Sequence, residues 1–216
     1  MYSLMLTQSQ MREVQKELKN FQNNRNFSPA QLLVVHEMYC MMFLWRYLSF
    51  NMRMAEKKCN PSKFEEGKQW IQKVRAMRPG LTDMEYGNLI AIQFRYGGFK
   101  WVADPMSGKF DHVRSPEMIV VKKQGDCDGS AVLVQAVFPE VLTWGLWKYS
   151  GMQYLGGHII STQEYSRGRF AIMSNFKYVG DAPTQRAAWI RGKSDATYAV
   201  KVDLINMRIL NEVYTI

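Results

Sequence analysis

The sequence predicts an α+β protein with helices first and an antiparallel sheet second. Three observations carry this. Apolar residues recur at spacings of three and four as far as Pro79, the period then shortens, and from Leu142 onward strand-like runs alternate with Gly-containing or polar turns. No internal repeat interrupts the order.

The elements follow from local chemistry. Met11, Val14, Leu18 and Phe21 fall on one stripe, predicting a helix from about Ser9 to Asn23, with a turn at Asn23-Asn24. Ser28-Pro29 reads as an N-cap followed by Pro at the first helical position and opens a long helix towards Lys58. Leu32, Val35, Tyr39, Met42, Phe43, Tyr47, Phe50 and Met54 form its main stripe. Leu33, Cys40, Leu44 and Leu48 fill much of the other side, so this helix is expected to be buried in a core or against partner chains. A third helix runs from Pro61 or Ser62 to Met77, with Phe64, Trp70, Ile71 and Val74 inward, and Arg78-Pro79-Gly80 stops it. The basic helical region 1–79 and an α+β region 80–216 are the expected domains.

Past Gly80, Thr82 and Glu85 form a capping-box pattern that starts a helix to about Phe94. Ser115-Pro116-Glu117 opens a short helix to about Val121. Asp126 to Phe138 reads as a buried helix closed by Pro139. Strands are expected at Leu142–Tyr149, His158–Thr162, Arg169–Met173, Tyr198–Asp203 and Met207–Tyr214, with a short helix over Pro183–Ile190.

Composition narrows the function. With 216 residues, 47% hydrophobic and 22% charged, the chain can bury a real core, which excludes collagen-like and wholly disordered classes. Three cysteines (Cys40, Cys59, Cys127) make no disulfide framework, so a reducing, cytoplasmic setting is expected. Met1 to Leu6 lacks the basic stretch and apolar length of a secretory signal. The most apolar run, Met38 to Trp45, falls well short of the roughly 20 residues a membrane span needs, so no membrane partner is expected. The formal charge of +9 is concentrated before Gly80, where 13 Lys and Arg face 6 Glu. A solvated helix face is the plainer reading of this excess, while attraction of nucleic acid or an acidic partner rests on charge alone.

The chemistry concentrates at Gly125-Asp126-Cys127-Asp128-Gly129-Ser130-Ala131, which places a cysteine at the opening of an apolar helix. Unpaired amides and the helix dipole there favour a thiolate, although a carboxylate on Asp126 opposes it. A small buried thiol with no role is the plain alternative. Of three histidines, His36 lies in the apolar helix and reads as a buried or interface imidazole, and His112 lies in a polar turn and reads as exposed. His158 follows Gly156-Gly157 and begins a strand. The next strand runs into Ser174-Asn175, so an antiparallel return brings Asn175 beside His158, where its side chain can hold the imidazole tautomer.

Asp104-Pro105, then Ser115-Pro116-Glu117, then Gly125-Asp126-Cys127-Asp128 ahead of a small-residue helix occur in that order. With these motifs the stretch from about Asp83 to Asn175 resembles the transglutaminase-like superfamily, and within it the bacterial and phage transglutaminase-like cysteine peptidases. The resemblance implies a papain-like core and assigns Cys127 as nucleophile, His158 as base and the position at Asn175 as the orienting residue. That position is more usually Asp in the family, and Asn cannot stabilise an imidazolium by full charge. The amide of Cys127 is the natural oxyanion donor, with Gln124 or Trp101 as weaker partners.

The expected activity is acyl transfer on an amide bond, as peptidase, amidase or transamidase, with a protein or peptide substrate and no cofactor or metal. The alternative is a structural subunit of a large assembly such as a phage virion, with little or no turnover. The apolar helix Leu32 to Met54, the 15 Met and the basic first third suit partner contacts, either a homo-oligomer or a larger assembly.

Overall fold

In the computed structural model, residues 2–19, 21, 26–103, 112–165 and 168–216 are described. The expected Asn23-Asn24 turn and the Asp104-Pro105 pair lie outside them. After a short 3₁₀ turn at Tyr2–Met5 come α1 (Gln8–Lys19), α2 (Pro29–Cys59), α3 (Pro61–Ala76) and α4 (Asp83–Tyr96). Strand β1 (Lys100–Trp101), α5 (Pro116–Lys122), β2 (Gln124–Gly125) and α6 (Cys127–Val137) follow. Then come β3 (Leu142–Ser150), β4 (Gln153–Tyr165), β5 (Arg169–Ser174), β6 (Lys177–Ala182), α7 (Gln185–Gly192), β7 (Tyr198–Asp203) and β8 (Arg208–Thr215).

The helix starts are set by the caps. Ser28 and Thr82 each form a reciprocal capping box, with Gln31 and Glu85 respectively, and Ser115 caps α5. Such caps satisfy amides that the helix leaves without partners. Each is local in sequence, which is why these starts are predictable.

Strands β3 to β8 form one antiparallel sheet in the order β6-β5-β4-β3-β7-β8, and β1 and β2 make a separate parallel pair. The sheet's two faces are distinct. On one lies the main core, with α6 residues such as Val132 and Leu133, Trp45 of α2 edge-on to Trp147, and Ile159 and Met173 from the sheet. On the other, Trp144, Leu146, Ile160 and Ile172 pack under Ala188 and Trp189 of α7. The main core draws on residues from both sides of Pro79.

Helices α3 and α5 are drawn together by close backbone approach. A Cβ at Gly67 of α3 would lie 2.2 Å from the Glu117 carbonyl oxygen of α5, so α3 and α5 cross in near contact. Arg53 of α2 is the other fastener. Its guanidinium donates to the carbonyls of Val113 (2.9 Å), Leu204 (3.1 Å) and Ile205 (2.8 Å), joining α2 to the approach to α5 and to the β7–β8 turn.

Three expectations are corrected. The long helix is buried all round only in its middle, over Val34 to Trp45, whereas Leu32, Leu33, Tyr47, Phe50 and Met54 are exposed. His112, expected in solvent, is buried. Ser49 accepts from the Val113 amide at 3.1 Å and Arg53 bonds the Val113 carbonyl, which draws this segment against α2. A strand at β6 was not expected from its polar, Gly-containing sequence. It forms because the two-residue turn at Asn175-Phe176 returns the chain against β5.

Candidate active site

Cys127 is the first residue of α6, half-buried against the main core. Asp126 is the N-cap, and its Oδ1 accepts from the Gly129 amide at 3.2 Å. The carboxylate therefore bends into the helix rather than towards solvent. Gly125 ends the β1–β2 pair, so the thiol is presented at the junction of a short parallel ladder and a buried helix.

His158 sits on β4 opposite Leu146 of β3. Leu146 and Ile160 belong to the face under α7, and strand alternation puts the His158 side chain on that same face. Its Nε2 lies 2.7 Å from Ser174 Oγ. Burial pushes the His158 pKa below its ordinary 6.5, Lys193 at the end of α7 lowers it further, and Asp126 opposes the shift. The imidazole is thus neutral at pH 7, the state in which a ring can accept a proton.

The partner expected at Asn175 is supplied by Ser174 instead. The even-numbered residues of β5, Phe170 and Ile172, face α7, and Ser174 continues that row. Asn175 has already left the ladder. It adopts φ +52° and Phe176 φ +60°, the positive pair of a tight hairpin turn. The Asn175 Oδ1 is buried and has no hydrogen-bond partner among the described residues. Counting alternation from Ile172 would have selected Ser174.

The foot of α6 is held beside this turn. The Phe176 amide donates to Ser130 Oγ at 2.7 Å, and the Phe176 ring packs on Phe94 and Phe99 close to Gly125. β5 ends at Ser174, so β4 has no β5 partner before Ser161, and Asp126 acts electrostatically on His158 across this region. Cys127 belongs to the main-core side and His158 to the α7 side. Among the hydrogen bonds of the described residues, none joins Cys127 Sγ to the ring, whose bond goes to Ser174. With Nε2 on Ser174, Nδ1 is the ring nitrogen that no hydrogen bond among the described residues engages.

The remaining candidates fall elsewhere. His36 is half-buried, with Nε2 4.0 Å from Cys40 Sγ. Gln124 and Trp101 are exposed on the β1–β2 ladder. Among the described residues no three His, Cys, Asp or Glu side chains converge as a metal site, and no helix is long and apolar enough to cross a membrane. Comparison with protein-family models, curated proteins and solved structures finds no match to this chain.

Proposed function

We propose that this chain is a cysteine-dependent acyl-transfer enzyme of the transglutaminase-like type, a peptidase, amidase or transamidase. The observation that carries this reading is the His158–Ser174 bond. It holds a neutral imidazole by one nitrogen on the strand next to the one that ends beside the Cys127 helix. A helix-borne cysteine, followed by an antiparallel sheet with a histidine and a polar residue on neighbouring strands, is the order the resemblance implies.

In this mechanism Nδ1 of His158 takes the thiol proton and Cys127 Sγ forms a bond to the substrate carbonyl carbon. The imidazolium then returns the proton to the leaving amine as the C–N bond breaks, leaving a thioester. Water or a second amine attacks the thioester and regenerates the thiol. Ser174 is a positioning residue: it fixes the ring but supplies no charge to the imidazolium, in contrast to an Asp there. The mechanism requires the sulfur and the ring to come together past the end of β5, where β4 has no β5 partner.

The test is iodoacetamide alkylation of Cys127 against pH, in the wild type and in His158→Ala. Coupling gives a wild-type inflection below about 8.5 that moves upward in the variant. Coincident curves near that value remove the enzyme reading.

A second reading, a structural subunit of a large assembly such as a virion, is favoured by a separate observation. The apolar residues Leu32, Leu33, Tyr47, Phe50 and Met54 stand exposed along α2. Under this reading the chain assembles at high concentration, and Cys127 alkylation is indifferent to His158.

A further inference from the structure

A cleft of about 1040 Å³ lies between α4, β1 and the β5–β6 turn, and Asn88, Ile92, Arg95, Trp101, Asn175 and Tyr178 are among its lining residues. Lys100 and Lys177 line it too, and among the described residues no carboxylate does. Arg95, Lys100 and Lys177 are exposed, and none of the three takes part in an ion pair among the described residues. The nearby Asp181 is already engaged, accepting from the hydroxyls of Tyr165 and Tyr178 and lying 3.9 Å from Arg169. Three cations with no ion-pair partner among the described residues, beside an exposed Trp and Tyr, favour an anionic ligand with apolar groups.

The backbone says which kind. The Lys100 and Val102 amides donate to the carbonyls of Lys123 and Gly125, at 2.8 and 2.9 Å. In a parallel ladder alternate residues bond to the neighbour, so the Trp101 N–H and C=O point away from β2. That edge matches the main-chain groups of an extended polypeptide, which a nucleic acid does not have. Phe176, which also lines the cleft, donates through its amide to Ser130 Oγ and lies close to Gly125, so the cleft borders the foot of the helix that begins at Cys127.

We propose that this cleft binds an extended acidic peptide segment, and that the substrate of the acyl transfer is a polypeptide with Asp or Glu next to an aromatic or aliphatic side chain. The proposal rests on the assignment of Cys127 as nucleophile, and binding is therefore measured apart from turnover. The probes are a fluorescein-labelled glutamate-rich peptide carrying one Phe, its lysine-rich counterpart, and oligothymidylate, each added to the full chain.

The acidic peptide is expected to bind in preference to the basic one and to weaken with salt. Its affinity should fall about tenfold or more in Lys100→Glu/Lys177→Glu, a variant whose thermal unfolding is checked against wild type. Bound peptide should slow alkylation of Cys127 but not of Cys59. Equal binding of the two peptides, or unchanged affinity in the double variant, overturns the proposal. Displacement of the peptide by oligothymidylate of higher affinity overturns it in favour of nucleic acid. If peptide discrimination fails while the His158-dependent alkylation profile stands, only the substrate class falls. If discrimination holds while that profile is lost, the cleft stands and the catalytic reading falls.

Discussion

Replacing Ser174 by Asp tests whether the residue at that position governs His158. The wild-type hydroxyl lies 2.7 Å from Nε2, so an aspartate there brings its carboxylate into direct contact with the ring. At an effective dielectric of about 20, opposite unit charges about 4 Å apart attract by about 4 kcal/mol. Desolvation of the new carboxylate at a site only 8% exposed removes most of this and leaves about 1–2 kcal/mol. That is about one pKa unit. His158, held below 6.5 by burial and Lys193, should therefore titrate about one unit higher in Ser174→Asp. Ser174→Ala should move it lower still, because a hydroxyl that accepts from Nε2–H also favours the imidazolium. It should also cost about 1 kcal/mol in urea unfolding. The assay is NMR titration of the three histidine C2–H signals, assigned through His36 and His112 variants. A His158 titration that coincides in wild type, Ser174→Asp and Ser174→Ala refutes the reasoning, because the ring would then not sense residue 174.

Other predictions follow from the same structure. The folded pKa of His158 lies below its unfolded value, so the unfolded chain binds the extra proton first. Stability should be full above about pH 6.5 and fall as the pH drops through that value, and His158→Gln should flatten this slope in urea midpoints measured against pH. Gly67→Ala gains about 1 kcal/mol of helix propensity but drives a methyl into the Glu117 carbonyl, where overpacking costs about 1–3 kcal/mol or more. It should lower the urea midpoint, and by more than Gly87→Ala, which meets only the Gln163 side-chain oxygen at 3.3 Å. Arg53→Met strands three carbonyls in two loops and should cost about 3 kcal/mol by the same measurement. Burial raises the Cys40 thiol to about 11, with the nearby Glu37 adding to the shift, so mass-mapped alkylation at neutral pH should label exposed Cys59 and leave Cys40 until the chain unfolds.

Much of the fold was legible because its determinants are short-range. Ser28, Thr82, Ser115 and Asp126 each cap a helix within three residues of themselves, and Pro or polar turns close most elements. The strands Leu142–Ser150, Arg169–Ser174 and Tyr198–Asp203 lie where β-branched and aromatic runs placed them. β4 begins five residues earlier than its apolar run, at Gln153, because pairing with β3 carries it through Gly156 and Gly157. A glycine pair marks a break to local propensity but not to a ladder already held by its neighbour.

The candidate site divides in the same way. Cys127 at a helix opening and His158 on a strand are facts of local sequence, set by a cap and by an alternating run. Which polar side chain meets the ring, and on which side of the sheet, depends on register, because a slip of one residue exchanges the faces. The β5 register gives the position to Ser174 and turns Asn175 out of the ladder. The same holds for His112, which is buried in a segment whose neighbour Val113 is bonded to Ser49 and Arg53, more than fifty residues away. The sequence by itself determined the capped helices, most of the strands, and the placing of Cys127 at a helix opening and His158 on a strand, because backbone hydrogen bonding within a few residues decides them. Only the tertiary structure decided the facing of His158, its bond to Ser174 and the cationic cleft beside β1, because those depend on contacts between segments far apart in the chain.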